Sequence, residues 1–139
     1  MKKNLLKTMA LVLVLALAPS MFPIKSSAVT VSAGGIGYTS VKSFTSGTHS
    51  TYYCKLSTVT FDGLPTNSIP TGKYVYARIR TYESGGSVKK RAGALAAFSK
   101  VGNGYYYSYN SGYGKPGSYV LATNSNYNKS YTCSFNWKP

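Results

Sequence analysis

The side chains that could perform acid–base catalysis are few in this sequence. Asp62 and Glu83 are its only acids, and His49 is its only histidine, among 139 residues. Both acids stand beside turn-forming residues, and any pair of carboxylates for glycoside hydrolysis would have to be these two. The chain also lacks a G-x-S-x-G nucleophile motif and a phosphate-binding P-loop. The sequence therefore predicts a protein that is not an enzyme.

One catalytic alternative stays open, that of a small basic secreted ribonuclease. Such chemistry needs a base, an acid and cations that hold phosphate. His49 could act as the base and Glu83 as the acid, with Arg78 and Arg80 as the phosphate clamps. The four residues are spread over the chain, so only the fold can bring them together.

Cys54 and Cys133 are the only cysteines. An even pair in an exported protein forms a disulfide by default, so we expect a Cys54–Cys133 bond that closes a long loop and stabilises the fold by about 4 kcal/mol. Two free thiols are the alternative. With the cysteines paired, only His49 and two carboxylates remain, fewer than the four ligands of a structural zinc site, and neither a metal nor another cofactor is expected.

The N-terminal segment predicts export. Three lysines precede an apolar run, Met9–Ala18, that is shorter than the roughly 20 residues needed to span a bilayer. Small residues then allow cleavage after Ala28 or after Ala33. We therefore expect a signal peptide over residues 1–28 and a single secreted domain over residues 29–139.

The expected secreted domain is strongly cationic. Of the 16 Lys and Arg residues, twelve lie beyond residue 28 against two acids, and 12 minus 2 leaves a net charge of +10. A domain with this charge adheres to polyanions, which outside a bacterium are teichoic acid, anionic lipid and free nucleic acid. We expect a partner of this kind, with nucleic acid bound only non-specifically, and an extracellular location in association with the cell wall.

One stretch combines charge with aromatic rings: Lys73–Tyr82 alternates like a half-buried strand. Its polar face carries tyrosines and arginines, which can stack on sugars or bases with phosphate contacts nearby. Tyr and Arg are also ordinary cross-strand partners on a solvent-facing sheet, and the dense basic run that follows could equally be a solvated turn. The candidate ligand-binding residues are Tyr74, Tyr76, Arg78, Arg80, Tyr82, Lys89, Lys90 and Arg91.

The sequence pattern predicts strands in the other segments as well. In His49–Phe61 the apolar residues change parity near Ser57–Thr58, which predicts a bulge there or two ends that bury different faces. The segment Val88–Val101 fits a strand or a basic amphipathic helix, and we favour a strand because its neighbours are strands. With about six to eight strands, the expected fold class is all-β, an antiparallel β-sandwich or small barrel stapled by the disulfide.

The C-terminal strand completes the expected core. Over Lys129–Trp137 apolar residues alternate with polar ones, so the face that carries Cys133 is buried. Cys54 lies on a similar apolar face, and we expect the two cysteines to meet between facing sheets. Asn124–Asn128 has the composition of a hairpin turn before this strand, and Tyr38–Thr45 is the expected first strand of the domain.

The C-terminal quarter has a distinctive order of elements. Tyr105–Tyr107 is Tyr-rich, Val120–Ala122 is apolar, Asn124–Asn128 forms an Asn-rich turn, and the last strand carries Trp137. This order resembles the end of a family of small secreted proteins of unknown function from Gram-positive bacteria, the DUF2712 type. The resemblance implies export and a β fold, and it implies no particular activity.

These observations lead to a first hypothesis of a secreted, cationic, non-catalytic protein that binds an anionic surface or polymer. A second hypothesis is a bacteriocin-like protein that acts on membranes. It is based on export, on charge and on the alanine-rich basic segment Val88–Val101. The ribonuclease is the third hypothesis.

Overall fold

The computed structural model describes residues 28–83, 85 and 89–139. The predicted signal peptide, apart from Ala28, lies outside the described residues, as does Val88 of the segment that could be strand or helix. The described residues form nine strands, so the all-β prediction is confirmed, and they contain no helix that is long and apolar enough to cross a membrane. The strands are β1 Ala28–Val31, β2 Gly37–Tyr38, β3 Lys42–Phe44, β4 Thr51–Phe61, β5 Val75–Thr81, β6 Ala96–Phe98, β7 Gly104–Ser108, β8 Gly117–Ser125 and β9 Tyr131–Lys138.

The strands form two antiparallel sheets. The first sheet has the order β1-β9-β4-β7, and the second has the order β2-β8-β5-β6, with β3 also paired to β8. The two sheets bury their apolar faces against each other, because one core cluster contains Leu56 and Phe135 of the first sheet with Ile79 and Leu121 of the second. The outer faces are left for contacts with other molecules.

A bulge in β4 lets both ends of this long strand face the core. Leu56 is buried at an even-numbered position, whereas Val59 and Phe61 are buried at odd-numbered positions. The register against β9 shifts between Leu56 and Thr58, which adds one residue to β4. The bulge predicted near Ser57–Thr58 is confirmed.

In the described part of the Val88–Val101 segment, only Ala96–Phe98 forms a strand, so the strand that we favoured is present in part. The segment passes from one sheet to the other, because Arg91 forms an isolated bridge with Arg80 of β5 and Gly93 forms one with Tyr109, which follows β7. Gly93 is buried at this crossing, where an added Cβ would lie only 2.7 Å from Ile79 Cγ2. A glycine is therefore required for the chain to cross here, and the two sheets are linked along this edge.

Two connections differ from the predictions. The Asn124–Asn128 turn does not close a hairpin, because β8 and β9 belong to different sheets. The turn arches over the edge of the core, where Thr123 Oγ1 and the Tyr131 hydroxyl form a hydrogen bond of 3.1 Å. Tyr38–Thr45 is divided into β2 and β3, which pair with different parts of β8. Asn-rich composition favours a tight turn of either kind, so it could not distinguish a hairpin from an arch.

The predicted disulfide is wrong, and the reason is the strand pairing. Cys54 and Cys133 lie on neighbouring strands of the first sheet rather than on facing sheets. Cys54 is opposite Trp137 and Cys133 is opposite Val59, which offsets them by roughly 13 Å along the strands. Cysteines whose Cα atoms are more than about 7 Å apart cannot be bridged. Both are free and buried, and burial raises the pKa of the Cys133 thiol to about 12.

Strand β1 belongs to the core although it lies where the signal peptide is expected to end. Val29 and Val31 are buried, and β1 pairs with β9 along its whole length. Gly37 packs against both valines, since an added Cβ would lie 2.7 Å from Val29 Cγ1 and 2.6 Å from Val31 Cγ2. Of the two predicted cleavage positions, only the one after Ala28 keeps these valines, whereas cleavage after Ala33 removes them.

We predict that both thiols are protected in the native protein. Burial raises the pKa of Cys54 and of Cys133, so both stay protonated and react slowly at about pH 8. N-ethylmaleimide should add no label to the native protein, as measured by mass spectrometry. In concentrated guanidinium chloride without a reductant, it should add two labels. The absence of labels after denaturation would reveal a disulfide and contradict the β4–β9 register.

A chain that begins at Gly34 should be less stable than one that begins at Val29. It lacks two buried valines, each of which contributes about 1.5–3 kcal/mol when fully buried, and one edge of β9 loses its partner. We expect the free energy of unfolding to fall by about 3 kcal/mol or more, measured by urea denaturation of both chains. Equal denaturation midpoints would show that β1 does not stabilise the core.

Candidate anion-binding site

The predicted polar face of β5 lies on the outer side of the second sheet. The three apolar residues of β5 are fully buried, so the residues between them point away from the core. These outward residues are Tyr76, Arg78 and Arg80, each half-buried. Because the two sheets pack through their inner faces, this face is not covered by the first sheet.

The neighbouring strand β8 supplies a floor of small residues beneath the arginines. Ala122 is opposite Arg78, and Val120 is opposite Arg80. Ala122 and Val120 lie on the outer face, yet they are only 7% and 1% exposed. Since the arginines are their direct cross-strand neighbours, we attribute this burial to the apolar stems of Arg78 and Arg80. The guanidinium groups are thereby held close to the sheet.

A third arginine comes from the segment that follows β5. Arg91 bridges Arg80 in antiparallel register, and the Ala92 N–H group donates to the Ile79 carbonyl at 3.0 Å. Arg80 itself donates from Nη1 to the Lys89 carbonyl at 3.1 Å. These bonds fasten the segment to β5, so that Arg91 is positioned beside the other two arginines.

The three arginines line one open cavity of about 270 Å³, which we call the arginine cavity. Two exposed apolar residues, Ile36 and Leu95, form part of its wall and reduce the access of water to it. This volume suits a small anion or one charged group of a larger molecule. The lining consists of Ile36, Tyr76, Arg78, Arg80, Arg91, Leu95, Ala122, Thr123 and Asn124.

The arginine cavity has an excess of positive charge. Its lining includes neither of the two acids of the chain. Burial, followed by repulsion from Arg91 and from Arg80, lowers the pKa of Arg78. The Nε atoms of Arg78 and Arg80 are buried and have no hydrogen-bond partner. An unsatisfied buried donor costs about 1–3 kcal/mol, so these two guanidinium groups carry charge that no protein acceptor balances at Nε.

The fold gathers only some of the predicted binding residues. Besides Tyr76 and the three arginines, Tyr74 lies next to the cavity and stacks on Tyr76, with ring centroids 6.0 Å apart. Tyr82 and Lys90 are not part of the lining. Lys89 turns instead to Tyr38, with its Nζ 4.3 Å from the ring centroid. The predicted basic run is thus divided, and one of its three residues reaches the cavity.

Five residues of the lining were not among the predicted binding residues: Ile36, Leu95, Ala122, Thr123 and Asn124. Ile36 lies in a glycine-rich segment without apolar periodicity, and Leu95 lies in the irregular stretch where the chain crosses between sheets. Asn124 is opposite Tyr76 in the β5–β8 register. Only knowledge of that strand pairing could have added Asn124 to the candidates, and no local signal marks Ile36 or Leu95.

Of the four residues of the ribonuclease alternative, Arg78 and Arg80 line this cavity, but the expected base and acid do not. His49 stacks on Phe44 with ring centroids 4.1 Å apart, and its Nδ1 donates to the Pro139 carbonyl at 2.9 Å. Neither His49 nor Glu83 lines the arginine cavity. In the part of the chain that the structure describes, no group of three or more His, Cys, Asp and Glu side chains could hold a metal ion.

Comparison with known proteins adds no relative. No family model matches the chain, and no curated protein and no solved structure matches it. The resemblance of the C-terminal quarter to the DUF2712 type therefore stays a prediction. Function has to be inferred from the charges and contacts of the residues themselves.

Inorganic phosphate should stabilise the protein more than chloride does at equal ionic strength. A phosphate ion in the arginine cavity would accept hydrogen bonds from the guanidinium groups that line it and reduce the repulsion among them. At ten times the dissociation constant the gain is about 1.4 kcal/mol, or about 5 °C in melting temperature, measured by calorimetry. Arg80→Gln should remove most of this shift, whereas the exposed Lys100→Gln should not. An equal shift with sodium chloride would contradict an anion site.

Proposed function

We propose that this chain is a secreted, cationic, non-catalytic protein that binds an anionic surface or polymer, such as the teichoic acid of a cell wall or anionic lipid. The observation that carries the proposal is the arginine cavity, in which Arg78, Arg80 and Arg91 converge without an acid. Two of the three have a buried Nε–H group that no protein atom accepts. A phosphate group of the polymer would complete this site.

The charge of the remaining surface favours a polymer over an isolated small anion. The net charge of +10 over residues 29–139 attracts a chain of repeated phosphates along its length, whereas one small anion meets only the cavity. Exposed cations such as Lys90 and Lys100 lie outside the cavity and add this long-range attraction. Nucleic acid would be held by the same charge without sequence preference.

The bacteriocin-like alternative gains less support. It was based partly on residues 88–101 as an alanine-rich basic segment that could form an amphipathic helix. In the described part of that segment, Ala92, Ala96 and Phe98 are buried in the core, and β6 is paired to β5. These three apolar side chains are thus engaged inside the protein, which favours adhesion over insertion into a membrane.

The test is retention of the purified protein on cell wall material rich in teichoic acid and on vesicles of anionic lipid, across a series of salt concentrations. We expect binding at low salt that falls about tenfold or more as sodium chloride is raised, because charge–charge contacts are screened. Retention that does not respond to salt, or no retention on either material, would contradict the proposal.

Matched variants locate the contact within the protein. Arg78→Gln with Arg80→Gln removes two charges from the cavity, whereas Lys100→Gln with Lys129→Gln removes two exposed charges elsewhere. Because the net charge of the two double variants is the same, their difference reports the cavity alone. We expect the arginine variant to bind about tenfold more weakly than the lysine variant; equal losses would mean that binding does not involve the cavity.

A further inference from the structure

A second cavity lies on the first sheet, where β4 begins and β9 ends. Tyr53 of β4 is opposite both Tyr106 of β7 and Lys138 of β9, so the three side chains form one row across the outer face. Lys42 of β3 closes the cavity from the other side, and the volume is about 570 Å³. We call it the tyrosine groove, and it shares no lining residue with the arginine cavity.

Two tyrosine rings form the apolar wall of the groove. Tyr106 is 74% exposed, and its ring centroid lies 5.3 Å from that of Tyr53 at an interplanar angle of 58°. The Tyr53 ring packs on the bare backbone of Gly104, where an added Cβ would lie 2.5 Å from Tyr53 Cζ. Because the rings are tilted, a flat nucleobase can stack on only one of them. A puckered sugar ring presents C–H groups in several directions and can contact both.

Two lysines, Lys42 and Lys138, place positive charge in the groove. Lys42 Nζ donates to the Trp137 carbonyl at 2.7 Å and lies 5.1 Å from the centre of the Trp137 ring. Burial, followed by repulsion from Lys138, lowers the pKa of Lys42. Among the described residues that line the groove, none is acidic. Two ammonium groups match the charge of a phosphate monoester, which is about −1.5 to −2 near neutral pH.

Polar groups complete the lining. Asn136 can both donate and accept hydrogen bonds, and Ser43 carries a hydroxyl that bonds to the Ser118 hydroxyl at 2.8 Å. Such groups suit the hydroxyls of a sugar ring. We propose that the tyrosine groove binds a sugar that carries a phosphate group, with Tyr53 and Tyr106 against the ring and Lys42 and Lys138 on the phosphate. This site is independent of the arginine cavity and of the binding proposed for it.

Trp137 allows a direct test, because it is the only tryptophan of the chain and it lines the groove. A ligand that changes the position of Lys42 over the indole ring alters its fluorescence. Titration of the purified protein with glucose 1-phosphate should change the emission with saturation, and glucose or inorganic phosphate alone should bind about tenfold more weakly or worse. No saturable change, or phosphate alone as strong as the sugar phosphate, would overturn the proposal.

Variants separate this site from its surroundings. Tyr106→Ala should weaken binding of glucose 1-phosphate about tenfold, whereas Tyr105→Ala, an exposed neighbour outside the lining, should not. Lys138→Gln should weaken glucose 1-phosphate and leave glucose unchanged. The double variant Arg78→Gln with Arg80→Gln should bind normally, so failure of the arginine proposal leaves this one testable.

Two results would count against the sugar assignment. One is an equal loss of glucose 1-phosphate binding in Tyr106→Ala and Tyr105→Ala, which would mean that the groove is not the site. The other is a single-stranded oligonucleotide that binds more tightly than glucose 1-phosphate and depends on Tyr106, which would assign the groove to nucleic acid. Unchanged thermal melting of the Tyr105, Tyr106 and Lys138 variants confirms that the fold is intact, as expected for exposed side chains.

Discussion

The pairing of β4 with β9 is the interaction on which the rest of the structure depends. These strands form the centre of the first sheet, and each holds one edge strand, β7 and β1 respectively. The bulge between Leu56 and Thr58 keeps both halves of β4 facing the core, and Thr58 and Ser134 hydroxyls bond across it at 2.6 Å. The same register separates the two cysteines and places Lys138 beside Tyr53. The free thiols and the tyrosine groove are therefore both results of the register between β4 and β9.

Alternation along single strands could be read from the sequence, whereas pairing between strands could not. The spacing of apolar residues predicts the buried faces of β4, β5 and β9 and the bulge, because successive side chains of a strand point to opposite faces of the sheet. The disulfide and the hairpin at Asn124–Asn128 failed because both required knowledge of which strands share a sheet. Two buried cysteines on apolar faces look the same in sequence whether the faces oppose each other or lie side by side.

The candidate site shows the same division. Arg78 and Arg80 were predicted because they alternate with core residues on one strand, and Arg91 because it belongs to a basic run. The three arginines come together because Arg91 forms a bridge with Arg80. The Lys89 and Lys90 side chains belong to the same basic run, yet they do not line the cavity. The tyrosine groove joins residues from four strands, β3, β4, β7 and β9, and no local pattern marks such a set.

The unlinked cysteines also bear on how the chain reaches its native state. Because Cys54 and Cys133 cannot be bridged in this register, no covalent step has to accompany folding, and no oxidant has to be present where the chain folds. Among the described residues, noncovalent packing and strand pairing bring the parts of the chain between Cys54 and Cys133 together. The native fold therefore does not depend on a Cys54–Cys133 bond, which is uncommon for a small β domain that is expected to leave the cell.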